Sequence, residues 1–544
     1  MGRPMGVRMS DIVEVRNSER KEYGASVWNQ MEKPVTGLLA VGIVVFLLMI
    51  VVTNVFHFTY RLDADISSEV VLGKEIWLNK QIVPETWYIS TEARIIGPLN
   101  FAALFYGMTH NMVLSMGLAC CVMTLLIVCS MFYFGKSLGW KLWENLLFIL
   151  MGLAVPVLFD FLEMLYLFAC YYAIHVVNLF LTMGVYAEAL REKKIRRGML
   201  VLCTLLAFGL GMQGVRGMLV FYGPLFGMEV IRNLYRIYCK EKADKTDRLV
   251  SLWVVCLLLL NFLGTLFPVS IDQELSRNIR KGFQKLFTEV VPNMITAVGL
   301  EAANPLEKAA LVFLLCVIIL LGVDIALRMF RKETIGAAEW SFLIICASPV
   351  ITALMMAFTT FETTERYYFM LTYAFAMAAV LAFIRLRTLR KRHLSKAVEL
   401  LLAAVVAVIV VSNLFSIYIP IVKTEEPPQS REYEIAQYLE ENGFQTGYST
   451  FHHANNLTVL SNGRVRVAAV ASLDRMNVCR WLSSSDWYVP NVPYEERTAY
   501  IVPEAEMENF AEFLKLHEKD LRFETQIGNY SIYSSAYNFS NMEY

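Results

Sequence analysis

Charge is scarce in this chain of 544 residues: 18% of them are charged and 56% hydrophobic, where a soluble domain carries about a quarter charged. That excludes a soluble enzyme of this size and marks an integral membrane protein. Neither sign of charge is in excess, with 49 basic against 49 acidic residues, so no overall basic surplus points to a nucleic-acid partner. Cysteine is sparse and poorly placed for disulfides. Of the ten, Cys120, Cys121, Cys129, Cys170, Cys203, Cys239, Cys256, Cys316 and Cys346 fall in apolar runs or basic loops, and only Cys479 in the polar C-terminal tail. No disulfide framework is expected there. CxxC and cysteine–histidine metal spacings are missing, as is any repeat of about 20–50 residues. Without a matched pair of broken apolar segments, a secondary transporter is disfavoured.

Long apolar runs are abundant. Eleven are expected to span, at about 35–56, 111–134, 146–160, 167–190, 199–215, 217–234, 250–269, 309–329, 340–358, 368–384 and 398–420, the third and fifth being short or interrupted. Each full-length run supplies the ~20 apolar residues that a helix needs to cross the hydrocarbon. The basic clusters alternate between runs: Arg191 to Arg197, Arg236 to Arg248, Arg331-Lys332 and Arg385 to Lys396. By the positive-inside rule these loops and the N-terminal tail (1–34) are cytoplasmic. The first loop (57–110) and, with an odd count, the tail from 424 to 544 are then extracytoplasmic. No small-residue cleavage pattern follows the first run, which reads as a retained signal anchor.

The tail is a different kind of sequence. It follows the charged, proline-bearing linker Lys423-Thr424-Glu425-Glu426-Pro427-Pro428, which cannot continue a helix. From Ile421 onward it has 18 acidic against 10 basic residues, so it offers no basic patch to anionic lipid or nucleic acid. Its periodicity predicts a helix over Arg431 to Glu441, strands at Val465 to Val470 and Tyr500 to Val502, a helix over Glu504 to Leu516 and a strand pair over Phe523 to Tyr533. In the first loop, Ile66, Val70 and Trp77 recur at helical spacing with Lys74, Glu75 and Lys80 among the polar positions. That pattern predicts a helix along the membrane interface, with Trp77, Trp87 and Tyr88 as headgroup anchors.

Asp63-Ala64-Asp65 opens this loop just beyond the first span. Acid that close to a bilayer is costly unless it is used. Two residues apart in an extended segment, both carboxylates face one side and can share a metal or divide base and metal-ligand duties. The competing reading is a helix N-cap; Asp65, just before Ser67-Ser68-Glu69, suits it better, which leaves Asp63 the stronger catalytic candidate. Asp160 and Glu163 close the third span on the same side and share a helix face. They are a second acidic site or a pair of hydrated loop acids. Arg216, in Gln213-Gly214-Val215-Arg216, is either paired to a bundle acid or aimed at a phosphate, which its planar fork suits. Arg366, at another outer lip, is a phosphate ligand or the i,i+4 partner of Glu362. Gly209-Leu210-Gly211-Met212-Gln213-Gly214 spells a dinucleotide fingerprint but lies in an apolar run with no preceding strand, and reads as a close-packing helix face. His175 reads as a core histidine, and the adjacent His452 and His453 are poorly spaced for metal.

The order of these parts resembles the glycosyltransferase C (GT-C) superfold. The resemblance is carried by Arg61-Leu62-Asp63-Ala64-Asp65, Trp87-Tyr88-Ile89-Ser90-Thr91-Glu92-Ala93-Arg94, Gln213-Gly214-Val215-Arg216 and Glu365-Arg366-Tyr367. In the tail, Gly447-Tyr448-Ser449-Thr450-Phe451, Ala454-Asn455-Asn456 and Leu460-Ser461-Asn462-Gly463 look like the external domain of bacterial members of this group. The resemblance implies a polytopic enzyme that takes a sugar from a polyprenyl-phosphate carrier on the extracytoplasmic face. It implies a first-loop acid as base or metal ligand (Asp63 or Asp65), a first-loop motif containing Glu92, a second acidic position (Asp160 or Glu163), and an arginine in a late external loop on the carrier phosphate (Arg366, with Arg216 beside it). The tryptophan–aspartate acceptor signature of oligosaccharyltransferases is missing, which leaves the acceptor open.

The expectation is therefore an α-helical polytopic cell-membrane protein of about eleven spans (35–423) with a small extracytoplasmic α/β domain (424–544). Its partners would be a polyprenyl-phosphate-linked sugar donor, a glycan, lipid or protein acceptor and the bilayer, with no nucleic acid. A divalent cation, Mg or Mn, at Asp63 and Asp65 is the one cofactor the pattern admits. The rival readings are a flippase or transporter, or a polymerase or ligase, of lipid-linked sugars.

Overall fold

The computed structural model describes residues 9–90, 92–155, 158–267, 279–301, 303–359, 363–388, 393–424, 430–488 and 492–540. From the N-terminus the bundle runs α1 (Met9–Phe56), α2 (Ala64–Asn79), α3 (Pro98–Thr109), α4 (Met112–Ser137), α5 (Leu142–Ala154), α6 (Phe159–Leu165), α7 (Ala173–Glu192), α8 (Arg197–Met212), α9 (Gly223–Tyr238) and α10 (Lys245–Gly264). It continues through two short helices, α11 (Ile279–Lys285) and α12 (Val291–Thr296), into α13 (Pro305–Phe330), α14 (Ala337–Ala357), α15 (Met370–Thr388), α16 (His393–Asn413) and α17 (Ile419–Lys423).

Each of the eleven apolar runs contains a helix, but among the described residues eight helices are long and apolar enough to cross a membrane. The chain is a multi-pass membrane protein. The third and fifth runs form α5 and α8, of 13 and 16 residues, and the fourth becomes regular only at Ala173. Where α8 meets α10, a Cβ on Gly211 would strike the backbone carbonyl of Asn261, and one on Gly264 that of Phe208. The fingerprint-like glycines are thus a backbone-to-backbone helix contact.

The C-terminal residues form a six-stranded mixed sheet. Its strands are β2 (Thr446–Thr450), β3 (Arg466–Ser472), β4 (Asn477–Val478), β6 (Val492–Pro503), β7 (Arg522–Ile527) and β8 (Tyr530–Asn538), in the order β4-β3-β2-β6-β8-β7. β3, β2 and β6 run parallel, and the other pairs are antiparallel. Helices α18 (Ser430–Glu441), α19 (Phe451–Leu460) and α20 (Met507–Leu516) accompany it. α18 stops where Gly443 takes a positive φ of 75°, the usual way a helix end is turned.

This domain overturns the interfacial reading of the first-loop helix. α2 buries Ile66, Val70, Val71, Leu72 and Ile76 and also Ser67, Ser68 and Glu69, so it is covered on its polar side as well. It packs on α3 and α4 below and on α19 above. The cover is polar and specific: Ser67 Oγ donates to Asn456 Oδ1 (2.5 Å), and Lys74 Nζ to the Gly463 carbonyl (3.2 Å). Asn456 in turn donates to Glu432, which also meets His453 (2.8 Å). Trp87 is no headgroup anchor. It is 5% exposed and lies in β1 (Trp87–Tyr88), which pairs antiparallel with β5 (Ser483–Ser484) of the tail. The sequence period reports only that one face of a helix is more apolar; whether lipid or a second protein layer covers the other face depends on residues some 390 positions away.

Candidate active site at the loop end of the bundle

The site is built where α1 ends. Asn54, fully buried, donates its amide to the Tyr166 carbonyl (2.9 Å) and accepts from the Phe168 N–H (2.8 Å). These bonds hold a turn in which Phe168 and Cys170 both take positive φ, 57° and 50°, a strained conformation for side chains with a Cβ. The turn reverses the chain between α6 and α7. It brings the acidic face of α6 back to the start of the first loop.

There the two predicted acidic sites meet. Arg61, two residues before Asp63, reaches Glu163 (3.4 Å) and Asp160 (4.0 Å). Glu163 is buried, and burial together with the charges of Asp63 and Asp160, opposed by Arg61, pushes its carboxyl up to about 8. The N-cap expectation is reversed: Asp63 is the cap, extended at φ −124° and ψ 179°, with its Oδ1 accepting from the Ile66 N–H (2.8 Å). Asp65 lies inside the first turn of α2. The helix starts one residue after Asp63, so the two carboxylates do not share an extended segment. Desolvation by the surrounding protein raises the Asp63 carboxyl above the ordinary range, with Asp65 adding to the shift.

A second network lies beside the first. Glu92 is held between Arg94 (3.0 Å) and Arg216 (2.6 Å), and Arg94 also bonds Glu69 (2.8 Å). Burial opposes ionisation of Glu92, but the two guanidiniums outweigh it and hold the carboxyl down at about 2. Gln213 fixes the loop to the end of α8 by accepting from the Ile96 N–H (2.6 Å). Arg216 is thus paired, to a first-loop acid and not to a bundle acid, and its guanidinium lies over the rings of Tyr172 (4.1 Å) and Tyr367 (4.8 Å).

Arg366 is different. Its guanidinium is 6.0 Å from the Tyr367 ring, and among the described residues its buried Nε has no hydrogen-bond partner and it makes no ion pair. Its predicted competitor, Glu362, lies outside the described residues. The charge of Asp65 reaches Arg366, which links the acidic and arginine halves of the site. Tyr171, which the sequence reading passed over as part of a span, stands among Asp63, Asp65, Glu69 and Glu163; burial and these charges raise its hydroxyl well above the usual range. Among the described residues the Tyr171 hydroxyl has no hydrogen-bond partner, and a small cavity lies against Tyr171, Glu69, Arg94 and Gln213. Glu69, Asn54 and Tyr171 left one signal in the sequence: polar groups beside apolar runs, where each costs free energy unless used.

A metal is poorly served. Among the described residues no three His, Cys, Asp or Glu side chains come together as a metal site. The cation between the two acidic sites is Arg61 itself.

No protein-family model and no curated protein sequence matches the chain. Solved structures do. ArnT from Cupriavidus metallidurans, bound to undecaprenyl phosphate, matches with a TM-score of 0.50 at 10% identity, over 92% of this chain and 98% of that one. The chain has the GT-C fold. An oligosaccharyltransferase from Archaeoglobus fulgidus, tethered with an acceptor peptide containing the NVT sequon, matches at 0.49 and 11% identity, over 90% of this chain and 74% of that one. Its complex with Zn and sulfate matches at 0.48 and 13% identity, over 85% and 68%. In this GT-C chain the acids and arginines gather at one end of the bundle, under the sheet domain.

Proposed function

We propose that this protein is a membrane glycosyltransferase that moves a sugar from a polyprenyl-phosphate carrier to a hydroxyl-bearing acceptor, a cell-envelope glycan or a related molecule, on the extracytoplasmic face. The observation that carries the reading is the unpaired guanidinium of Arg366. Around it Arg61, Arg94 and Arg216 are each tied to carboxylates, whereas Arg366 has none among the described residues. A cation held half-buried with no ion-paired carboxylate among the described residues suits an incoming anion, and a guanidinium fork suits phosphate. The fold supports the same choice, since ArnT was solved with undecaprenyl phosphate.

In the proposed reaction the acceptor oxygen attacks the anomeric carbon, its proton passing to the Asp63 carboxylate. The carbon–oxygen bond to the carrier breaks, and the phosphate leaves with the electron pair. Arg366 holds the charge that develops on it. Glu163, protonated near neutrality, keeps Asp63 from facing a second full negative charge. Among the described residues no three acids, histidines or cysteines converge as a metal site, so no step is assigned to a metal.

The test is transfer of labelled sugar from lipid donor in membranes carrying Asp63→Asn, Asp65→Asn or Arg366→Gln, with outer-leaflet donor measured in parallel. Transfer should fall in Asp63→Asn and Arg366→Gln while donor still reaches the outer leaflet. Loss of outer-leaflet donor would favour the flippase reading, and unchanged transfer in both aspartate variants would remove the catalytic assignment.

A further inference from the structure

At the other end of the same helices lies a cavity of about 810 Å³. α7 leads from Ala173, beside the acid site, to Glu192 at the cavity, a run of 20 residues. At ~1.5 Å per residue this is ~30 Å, one hydrocarbon thickness. The cavity is lined by Arg191 and Lys193 beside the end of α7, Arg232 and Arg236 on α9, Lys242 in the following loop and Trp340 on α14.

Most carboxylates that also line it are already neutralised. Asp247 is shared by Lys193 (2.9 Å), Arg232 (3.4 Å) and Arg236 (2.8 Å), Asp244 meets Lys193 (3.1 Å), and Glu339 meets Arg328 (2.7 Å). Glu241 is the lining acid with no ion pair among the described residues. The uncommitted cationic groups are more specific. Arg236 is 9% exposed; its Nη2 is spent on the Lys242 carbonyl and Asp247, and its Nη1 has no hydrogen-bond partner among the described residues. Lys242 makes no ion pair among the described residues. The two flanking segments, 191–197 and 236–248, hold ten basic residues against four acidic. On the same turn of α9 as Arg236, Leu234 and Ile237 are 59% and 72% exposed, an apolar surface of the kind acyl chains cover.

We propose that this cavity binds the phosphate headgroup of an anionic lipid, at the end of the bundle that the basic loops assign to the cytoplasmic leaflet. Basic recesses between membrane helices on that side recognise such headgroups. The volume far exceeds what a free phosphate fills, and the exposed face of α9 offers the chains a place to lie. Glu241, free at the site, suits a headgroup that also carries donors, such as glycerol hydroxyls. The proposal is independent of the transfer reaction at the opposite end.

The experiment is binding of short-chain phosphatidylglycerol, phosphatidylcholine and inorganic phosphate to the purified full-length chain in neutral detergent, followed by calorimetry. Phosphatidylglycerol should bind saturably, at least about tenfold tighter than phosphatidylcholine, and at least about tenfold weaker to Arg236→Gln and to Lys242→Gln. Lys242 is exposed and its substitution leaves the Asp247 network intact, so that variant keeps the test valid if Arg236→Gln fails to fold. Equal binding of the two lipids, or unchanged phosphatidylglycerol binding in Lys242→Gln, overturns the site. Inorganic phosphate binding as tightly as the lipid overturns the lipid and leaves a free-phosphate site.

Discussion

Glu92→Gln is the most informative single substitution for stability. The carboxylate bridges Arg94 and Arg216 with only 13% of its side chain exposed, against 19% and 15% for the arginines. Its folded pKa of about 2, against an ordinary 4.5, is a depression of about 2.5 units, worth ~3 kcal/mol at ~1.36 kcal/mol per unit. Removing one partner of a buried pair costs ~3–5 kcal/mol by independent reasoning, because the other charge is left desolvated. Glu92→Gln should therefore lose ~3 kcal/mol in denaturant unfolding of the detergent-solubilised protein near neutral pH. Arg94 retains Glu69, so the orphan is Arg216. Adding Arg216→Gln to Glu92→Gln should therefore cost less than the two single losses together. The pH dependence has a fixed sign: a depressed carboxyl stabilises the fold fully above about pH 4.5, and that contribution disappears as pH falls towards 2. Wild type and Glu92→Gln should converge over that window. A loss under about 0.5 kcal/mol at pH 7, or parallel acid profiles, would refute the bridge.

Other consequences can be measured separately. Arg366→Gln should reduce kcat/KM for the lipid donor by about 10- to 150-fold, the equivalent of one charge-assisted hydrogen bond, and leave unfolding nearly unchanged because among the described residues Arg366 makes no ion pair that would be broken. Glu163 has a raised pKa of about 8, so its contribution to stability is present at low pH and declines as pH rises from about 4.5 through 8. Glu163→Gln should remove that decline in an unfolding series across the same range. Gly211→Val places side-chain atoms against the Asn261 carbonyl and should destabilise the α8–α10 pair by several kcal/mol, seen as loss of detergent-stable protein. Ser67→Ala with Asn456→Ala should loosen the sheet domain from α2, read as faster proteolysis in 430–540 with the bundle intact.

What could be read from the sequence was what local energetics determine. Apolar runs located the helices because each must cover its own length of hydrocarbon, and the glycine face announced a close helix contact because no other residue permits it. The tail's alternation gave α18, β3 and β8 because burial of one face imposes its own period. Asp63, Asp160, Glu163, Arg216 and Arg366 were conspicuous as charge at the lips of apolar runs. Their mutual arrangement was not legible. Whether Asp63 or Asp65 caps the helix depends on a two-residue shift of where the helix starts. Whether Arg216 is free depends on Glu92, 124 positions away.

By itself, then, the sequence determined the membrane class, the helix positions and the sorting of charge to the two ends. The tertiary structure decided which charges cancel. It burned off Arg61, Arg94 and Arg216 against first-loop and α6 acids and left Arg366 without a carboxylate among the described residues. It also placed the tail over α2 through Ser67 and Asn456, 389 positions apart. The reason is physical: a residue's cost of burial is a local property written in its type, whereas the partner that offsets that cost is set by how distant segments pack.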